Sequence, residues 1–402
     1  MANIAILGFG VVGSGVAEVI TNNFDTIKNK IGNPLNIKYI LDLRDFPDSP
    51  LGHLVTHNFD DILNDNDVDI VVEMMGGSHP AYDFSMAALK AGKCVVTSNK
   101  EVVSKFGVEL LKTAKENNVR YLFEASVGGG IPIIRPMVND LSANEITSVS
   151  GILNGTTNYI LTQMGECGTS FADALKDAQG KGYAEANPSA DVDGIDAARK
   201  IVILASLAFG KLVYPDKIYT EGITKITTAD IEIAAELGYS VKLIGHTTTV
   251  DGKILAMVSP RLIPAENPLH SVDGVFNGIL VTGNMLGEAM FYGQGAGKLP
   301  TASAVVADII DIAKSEKNDP CFPALVDATD ADLADFGSYK CKNLLVFDKS
   351  AEEAIYSIFN KTDVSKSNPD KIYIITDETS ELELSRKIEG IKDKLVSRIR
   401  II

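Results

Sequence analysis

The chain begins with a short apolar run, NIAIL (3–7), passes at once into GFGVVGSGVAEVI and then turns polar. That order predicts a strand, a glycine turn and a helix. Further apolar runs at IKYIL (37–41), VDIVVE (68–73), KCVVTS (93–98) and VRYLFE (119–124) alternate with helical patterns such as PAYDFSMAALKAG and SKFGVELLKTAKENN. Strands that are apolar throughout and separated by helices belong to a parallel sheet covered on both faces. Residues 1–131 are therefore expected to form a doubly wound α/β domain.

After GGGIPIIRP the rhythm changes. ITSVSGIL reads as a strand, helical stretches follow at 156–165, 171–181 and 192–209, and SVKLIGHTTTV and KILAMVSPRLI alternate like antiparallel strands. An α+β domain over 132–300 is the expectation. TASAVVADIIDIAK (301–314) reads as a helix that returns to pack on the first domain, and 315–341, rich in Asp, Pro and Ala, as a linker. Residues 342–402 then give strand, helix, strand, helix, strand in KNLLVF, AEEAIYSIF, KIYIITD, ELELSRKIEGI and LVSRIRII.

Composition narrows the function classes. A length of 402 residues suits two or three domains, and 45% apolar with 22% charged residues is ordinary for a soluble globular protein. The formal net charge of −16 argues against nucleic acid or an anionic membrane as partner. No apolar run is long enough to span a membrane, and MANIAILGFG lacks a signal peptide's basic region and cleavage site, so a cytoplasmic setting is expected. Cys94, Cys167, Cys321 and Cys341 form no C-x-x-C pair and read as buried or semi-buried thiols; the five histidines show no metal spacing.

Gly8, Gly10 and Gly13, with Phe9, Val11 and Val12 between them, make G-x-G-x-x-G directly after the first strand. In that setting the three glycines serve a tight turn, a close approach of backbone to pyrophosphate and tight helix packing, and the helix start favours phosphate. The motif predicts a dinucleotide site. At the end of the second strand ILDLRDF offers both an acid for an adenosine ribose, Asp42, and a cation for a 2′-phosphate, Arg44, so NAD and NADP both stay open. Ser98, Asn99 and Lys100 follow the fourth strand, where ligands of open α/β sheets lie; a solvated lysine opening the next helix is the plainer alternative. Glu73, ending the third strand, is a weaker case of the same kind.

The densest polar stretch of the second domain is GKGYAEANPSADVDGIDAARK, with Gly182, Tyr183, Glu185, Asp191, Asp193, Asp196 and Lys200. Asp196 and Lys200 are helical neighbours, and on a surface such a pair stabilises by only about 0.2–0.5 kcal/mol. Asp193 could be no more than a helix N-cap. The helix that follows is almost wholly apolar, however, and a partly buried ammonium needs partners. A positioned ammonium can stabilise or protonate the oxygen on which charge develops during hydride transfer to a carbonyl. NGTTNYI, with Thr156, offers either a cap or donors to a substrate carboxylate; GQGAGKLPTASAV, with Gly297, suits phosphate contact or a tight turn.

Taken together, GFGVVG, TSNKE, FEASVGGGIP, GILNGTTNYIL, KGYAEANPSADVDGIDAARK and GQGAGKLPTASAV resemble the homoserine dehydrogenase family over roughly residues 1–315. The resemblance implies a Rossmann domain, a substrate-binding and dimerisation domain, and reversible NAD(P)-dependent interconversion of aspartate 4-semialdehyde and homoserine. With the dehydrogenase beginning at residue 3, no fused kinase is expected. Lys200 resembles the family's proton donor and Lys100 the second lysine beside cofactor and substrate. Substrate contacts are implied for Gly182, Tyr183, Glu185, Asp191, Asp196 and Thr156. Cofactor contacts are implied for Gly8, Phe9, Gly10, Val11, Val12, Gly13, Asp42, Arg44, Ser98, Lys100, Glu185 and Gly297. FEASVGGGI matches a sodium loop formed by the Glu124 carboxylate and the carbonyls of Val127, Gly129 and Ile131. A homodimer is implied as well. The tail is similar to an ACT regulatory domain, with FDKSAEEAI replacing the usual glycine-containing loop and a shortened hairpin, a departure that favours assembly over amino-acid feedback.

Overall fold

A computed structural model describes residues 2–315, 322, 325–359, 364 and 368–402. The described chain divides into two compact units, Met1–Glu145 with Val202–Pro215 and Phe291–Asp327, and Ile146–Ile201 with Asp216–Met290 and Ala328–Ile402.

In the first unit β1 (Ala2–Leu7), α1 (Val11–Asn22), α2 (Phe24–Ile31), β2 (Leu35–Leu41), β3 (Val55–Thr56), β4 (Ile70–Glu73), α3 (Ala81–Lys90), β5 (Cys94–Thr97), α4 (Lys100–Glu116) and β6 (Tyr121–Leu122) succeed one another. The strands pair in parallel in the order β3-β2-β1-β4-β5-β6. Their apolar runs are buried through and through: Ile4 to Leu7 and Val71 to Val72 are wholly inaccessible. Strand order reverses between β1 and β4, which opens a crevice at the carboxyl ends of these strands, the position at which doubly wound sheets bind ligands. Helix α2 replaces what the sequence suggests is a polar insert; only Ile27 of it is buried, so its apolar signal is thin. The helix Lys298–Lys314 belongs to this unit and lies against α1, where a Cβ on Gly15 would come 2.8 Å from the Lys298 carbonyl oxygen.

The second unit is built on a sheet containing β7 (Ile146–Ile152), β8 (Tyr219–Thr220), β9 (Tyr239–Val250), β10 (Lys253–Pro264), β11 (Phe276–Gly283), β12 (Gly287–Gln294), β13 (Asn343–Asp348), β14 (Lys371–Ile375) and β15 (Leu395–Ile401). The order is β12-β11-β7-β9-β10-β15-β13-β14, with β8 also beside β10. Helices α5 (Gly155–Cys167), α6 (Phe171–Gly180) and α7 (Ile195–Phe209, in this unit as far as Ile201) come between β7 and β8 in the chain, and α8 (Thr228–Glu236) between β8 and β9.

Four expectations need correction. The helix foreseen at 192–209 is broken at Gly194, whose φ of +82° ends a short turn, so α7 starts at Ile195 and Asp193 is not its N-cap. Residues 328–341 do not span freely as a linker: Leu333 bridges Ile254, the Ile254 N–H donates to the Asp332 carbonyl at 2.8 Å, and Tyr339 and Cys341 pack on Leu255 and Met257. Strand β10 is apolar on both faces and needs that cover; the part of the linker at 316–321 and 323–324 lies outside the described residues. The tail is not a separate body either, since β15 pairs in parallel with β10 through Arg261 with Arg400 and Leu262 with Ile401. Of the cysteines, Cys94 and Cys341 are buried, Cys167 at the end of α5 is exposed, contrary to expectation, and Cys321 lies outside the described residues.

Candidate active site

In the first unit the glycine motif makes the turn between β1 and α1. Gly8 has φ +90° and a Cβ there would meet the Met74 carbonyl at 3.0 Å; a Cβ on Gly13 would fall 1.9 Å from the Gly8 carbonyl. Gly10 caps α1 with no atom within 4 Å of a Cβ position, so the helix start faces open space. Backbone N–H groups at a bare helix start, without a side-chain cap, suit a phosphate. Phe9 is buried, and Val11 in the first turn is 67% exposed, while Val12 is half-buried. Gly297, with φ +123°, caps the helix Lys298–Lys314.

Asp42 closes this turn from β2. Its Oδ2 accepts the Phe9 N–H at 2.8 Å, and Arg44 grips both oxygens through Nε at 2.9 Å and Nη2 at 3.0 Å. The Arg44 guanidinium, outweighing the cost of burial, holds the Asp42 carboxyl down at about 2. Asp42 is nearly covered, whereas the Arg44 side chain is 64% exposed.

At the ends of β4 and β5, Glu73 Oε2 accepts the Thr97 hydroxyl at 2.6 Å and Oε1 the Met75 N–H at 2.7 Å. Burial pushes this carboxyl up to about 7, and it forms no ion pair among the described residues. Thr97 in turn accepts the Asn99 N–H at 2.9 Å, and Asn99 caps α4 through Glu101 and Val102. Lys100, half-buried, is thus the first residue of a rigidly capped helix, and Ser98 turns its hydroxyl to the Met74 sulfur at 3.6 Å.

The second unit assembles the other group. Lys200 and Asp196 are 7% and 4% exposed, and Nζ lies 2.7 Å from Asp196 Oδ2 and 2.8 Å from the Leu153 carbonyl oxygen. Asn154 Nδ2 donates to Asp196 Oδ2 at 2.9 Å and to Asp191 Oδ1 at 2.7 Å. The same Asn154 caps α5, its Oδ1 accepting the Thr157 N–H at 2.9 Å. A strand end, a helix cap and the first turn of α7 thereby converge on one buried ammonium. The pair is no surface i,i+4 contact, and the charges that would be costly alone are hydrogen-bonded together.

Thr156 donates to the Tyr183 carbonyl at 2.5 Å, which brings the Gly182–Tyr183 turn beside the cap. Tyr183 is 44% exposed and stands edge-on to Tyr159. Glu185 is exposed, and its carboxylate makes no hydrogen bond or ion pair among the described residues. The group therefore unites Asp191, Asp196, Lys200 and Thr156, with Gly182 and Tyr183 alongside, but does not draw in the Glu185 side chain. Asn154 is the residue that sequence reasoning passed over. Its signal was NGTTNYI, where an amide before a helix serves both as cap and as donor.

The loop after β6 offers oxygen donors. Glu124 is buried and takes the N–H groups of Ile133, Ile134 and Arg135 at 2.7, 2.8 and 2.7 Å. Val127, Gly129 and Ile131 are buried, and their carbonyls accept no hydrogen bond among the described residues. A carboxylate and unengaged carbonyls on one loop are hard oxygen donors, the kind that alkali cations take, although the Glu124 oxygens already accept three backbone N–H groups. No group of three or more His, Cys, Asp or Glu among the described residues could hold a metal. No described helix is long and apolar enough to cross a membrane.

Comparison with known proteins adds to this geometry. Residues 8–124 match the family model "Homoserine dehydrogenase, NAD binding domain" and residues 132–310 the model "Homoserine dehydrogenase". A homoserine dehydrogenase of Corynebacterium glutamicum is 39% identical over 98% of this chain and 93% of its own length. One from Neisseria gonorrhoeae is 45% identical over 78% and 72%. The solved structure of a homoserine dehydrogenase from Thiobacillus denitrificans superimposes with a TM-score of 0.90 at 35% identity, covering 100% of this chain and 98% of that one. A hyperthermophilic archaeal homoserine dehydrogenase mutant in complex with NADPH gives 0.67 at 31% identity, over 77% and 97%.

Proposed function

Because the chain belongs to the homoserine dehydrogenase family, NAD(P)-dependent oxidoreductases acting on a CH–OH group, we propose that Lys200 is the acid–base group of a reversible reduction of L-aspartate 4-semialdehyde to L-homoserine. That step serves threonine, methionine and isoleucine biosynthesis. The observation that carries the assignment is the buried Asp196–Lys200 pair, tied to Asn154 and Asp191.

The nicotinamide cofactor, when bound, supplies or takes the hydride. The protein's part follows from its own groups. Negative charge grows on the carbonyl oxygen as the aldehyde is reduced, and an ammonium held in a dry, fixed place stabilises that charge without reorganising. Asp196 offsets the cost of burying the Lys200 ammonium, and the Leu153 carbonyl aims it. Asn154 keeps Asp191 and Asp196 from repelling each other apart. The acids suit the substrate's ammonium group, and Glu185 and Tyr183, exposed on the adjoining turn, are the residues to close over it. In the first unit, the start of α1 would take the pyrophosphate, Asp42 and Arg44 would meet the adenosine ribose, and Lys100, Ser98 and Gly297 would line the nicotinamide side. Both NAD and NADP fit these groups. Glu124, Val127, Gly129 and Ile131 would hold a sodium ion as a structural brace of their loop. The tail, in the strand order of a ferredoxin-like unit, agrees with a reduced ACT-like domain, and a homodimer built on the second unit's sheet completes the reading.

The test is nicotinamide absorbance of the purified protein with L-homoserine and NAD⁺ or NADP⁺ in parallel. Reduction of either is expected. No reduction of either by protein shown to bind nucleotide would contradict the reading and point to another semialdehyde or to a non-catalytic nucleotide sensor.

A further inference from the structure

Arg400 lies on β15, the last strand, and is 4% exposed. Its Nε donates to Glu381 Oε1 at 2.8 Å and its Nη2 to Glu381 Oε2 at 3.2 Å, a contact made wholly within the tail. Nη1 donates to Glu221 Oε2 at 2.7 Å and Nη2 also reaches the Tyr219 hydroxyl at 3.3 Å. The guanidinium lies over the Tyr219 ring at 4.9 Å, and Tyr219 stacks on Phe336 at 3.9 Å. Glu381 alone would suffice to anchor Arg400 in the tail. The second acid belongs to the turn after β8, far from the tail in sequence.

That turn bears directly on the start of α7. The Glu221 N–H donates to the Val258 carbonyl at 2.9 Å, and the Ile223 N–H donates to the Val192 carbonyl at 2.8 Å. Between them Gly222 touches backbone: a Cβ there would fall 2.0 Å from the Val192 oxygen and 2.5 Å from the Asp193 Cα. From the other side Gly194 faces Thr220 and Val258, with room for a Cβ only at 3.2 Å from each. Contacts this close leave no slack, so a shift of the Glu221 turn is a shift of residues 192–194. Two residues further on comes Asp196. A planar guanidinium bound at both ends fixes direction as well as distance, which a lysine ammonium does not.

We infer that Arg400 is a positioning residue: by gripping Glu221 it holds the Glu221–Ile223 turn against Val192–Gly194 and so sets the place of Asp196 and Lys200. This rests on the acid–base role of Lys200 proposed above. The tail then serves every turnover as a fixed brace of the catalytic helix, whether or not it binds any ligand. Displacements of about 1 Å at a reacting group can cost up to about a hundredfold in rate, so the brace has leverage.

The experiment compares wild type with Glu221→Ala, Arg400→Ala and Arg400→Lys. Glu221→Ala is the decisive variant, since Glu381 still seats Arg400 and the tail keeps its anchor. Expected in Glu221→Ala are a roughly tenfold fall in kcat, a displaced acid–base limb in the kcat–pH profile and unchanged nucleotide affinity. Amide exchange should quicken at Ala198 to Lys200 while β15 stays protected. Arg400→Lys should recover part of what Arg400→Ala loses; if Arg400→Ala does not fold, Glu221→Ala decides alone. The inference is overturned if Glu221→Ala keeps wild-type exchange at Ala198 to Lys200 and, with it, wild-type kcat and pH profile. Failure of the functional reading looks different: wild type then turns over no homoserine, and the exchange data still decide whether Glu221 positions α7.

Discussion

Two aspartate–cation pairs stand one in each unit, and they differ in almost everything but their charges. Asp196–Lys200 is buried at both ends, 4% and 7% exposed, and is bound further by Asn154 and the Leu153 carbonyl. Asp42–Arg44 buries only the acid; the Arg44 side chain is 64% exposed. Burial makes the first pair a fixed instrument, since no low-cost alternative exists for either charge once its partner moves. Exposure suits the second to the proposed role of selector, since exchanging its partner costs little where water screens both states.

The largest effect should come from breaking the buried pair. Asp196→Ala leaves an ammonium buried without its acid, and urea denaturation should show a loss of about 3–5 kcal/mol, against near-neutral loss for an exposed pair. A smaller loss, below about 1 kcal/mol, would mean that Lys200 simply swings to other partners and is not fixed.

Glu73 sharpens the contrast from a third side, as a buried acid with no cation among the described residues. Its carboxyl stays protonated to about 7 when folded, against an ordinary 4.5. Folding therefore gains from Glu73 below about pH 4.5, and that gain is lost as pH rises through about 7, a change of about 3 kcal/mol at most. Glu73→Gln should remove this share, so its Tm should gain on wild type as pH is raised from about 5 to about 8. A Tm difference that does not move with pH would show that Glu73 is ionised in the fold.

The smallest effect is expected at the selector. Arg44→Ala should lower use of NADP⁺ relative to NAD⁺ by about tenfold in kcat/KM and leave stability within about 0.5 kcal/mol. Equal loss with both nucleotides would deny Arg44 any part in recognising the 2′-phosphate.

Much of this was legible in the chain because it depends on local pattern. Continuous apolar runs with intervening helices pointed to the parallel sheet, and Gly8, Gly10 and Gly13 to the tight turn between its first strand and helix, since each spacing obeys a backbone requirement. Asp196 and Lys200 stood out as charges where an apolar helix begins. What did not show through was tertiary. Helix α2 buries only Ile27, so its periodicity is faint. The cover that Leu333 and Tyr339 give β10 depends on a strand apolar on both faces, which composition rich in Asp, Pro and Ala disguises as a linker. NGTTNYI offered a cap without singling out Asn154, which is that cap and whose amide also ties two aspartates from 37 and 42 residues away. Gly194 breaks a helix that continuous patterning would carry through.

The claim that the fixed pair does the chemistry is tested most directly by the turnover of Lys200→Ala with homoserine, measured at saturating nucleotide in folded protein. The account predicts that kcat falls by about a thousandfold while nucleotide affinity stays that of wild type. Wild-type turnover from a folded, nucleotide-binding Lys200→Ala protein would contradict it.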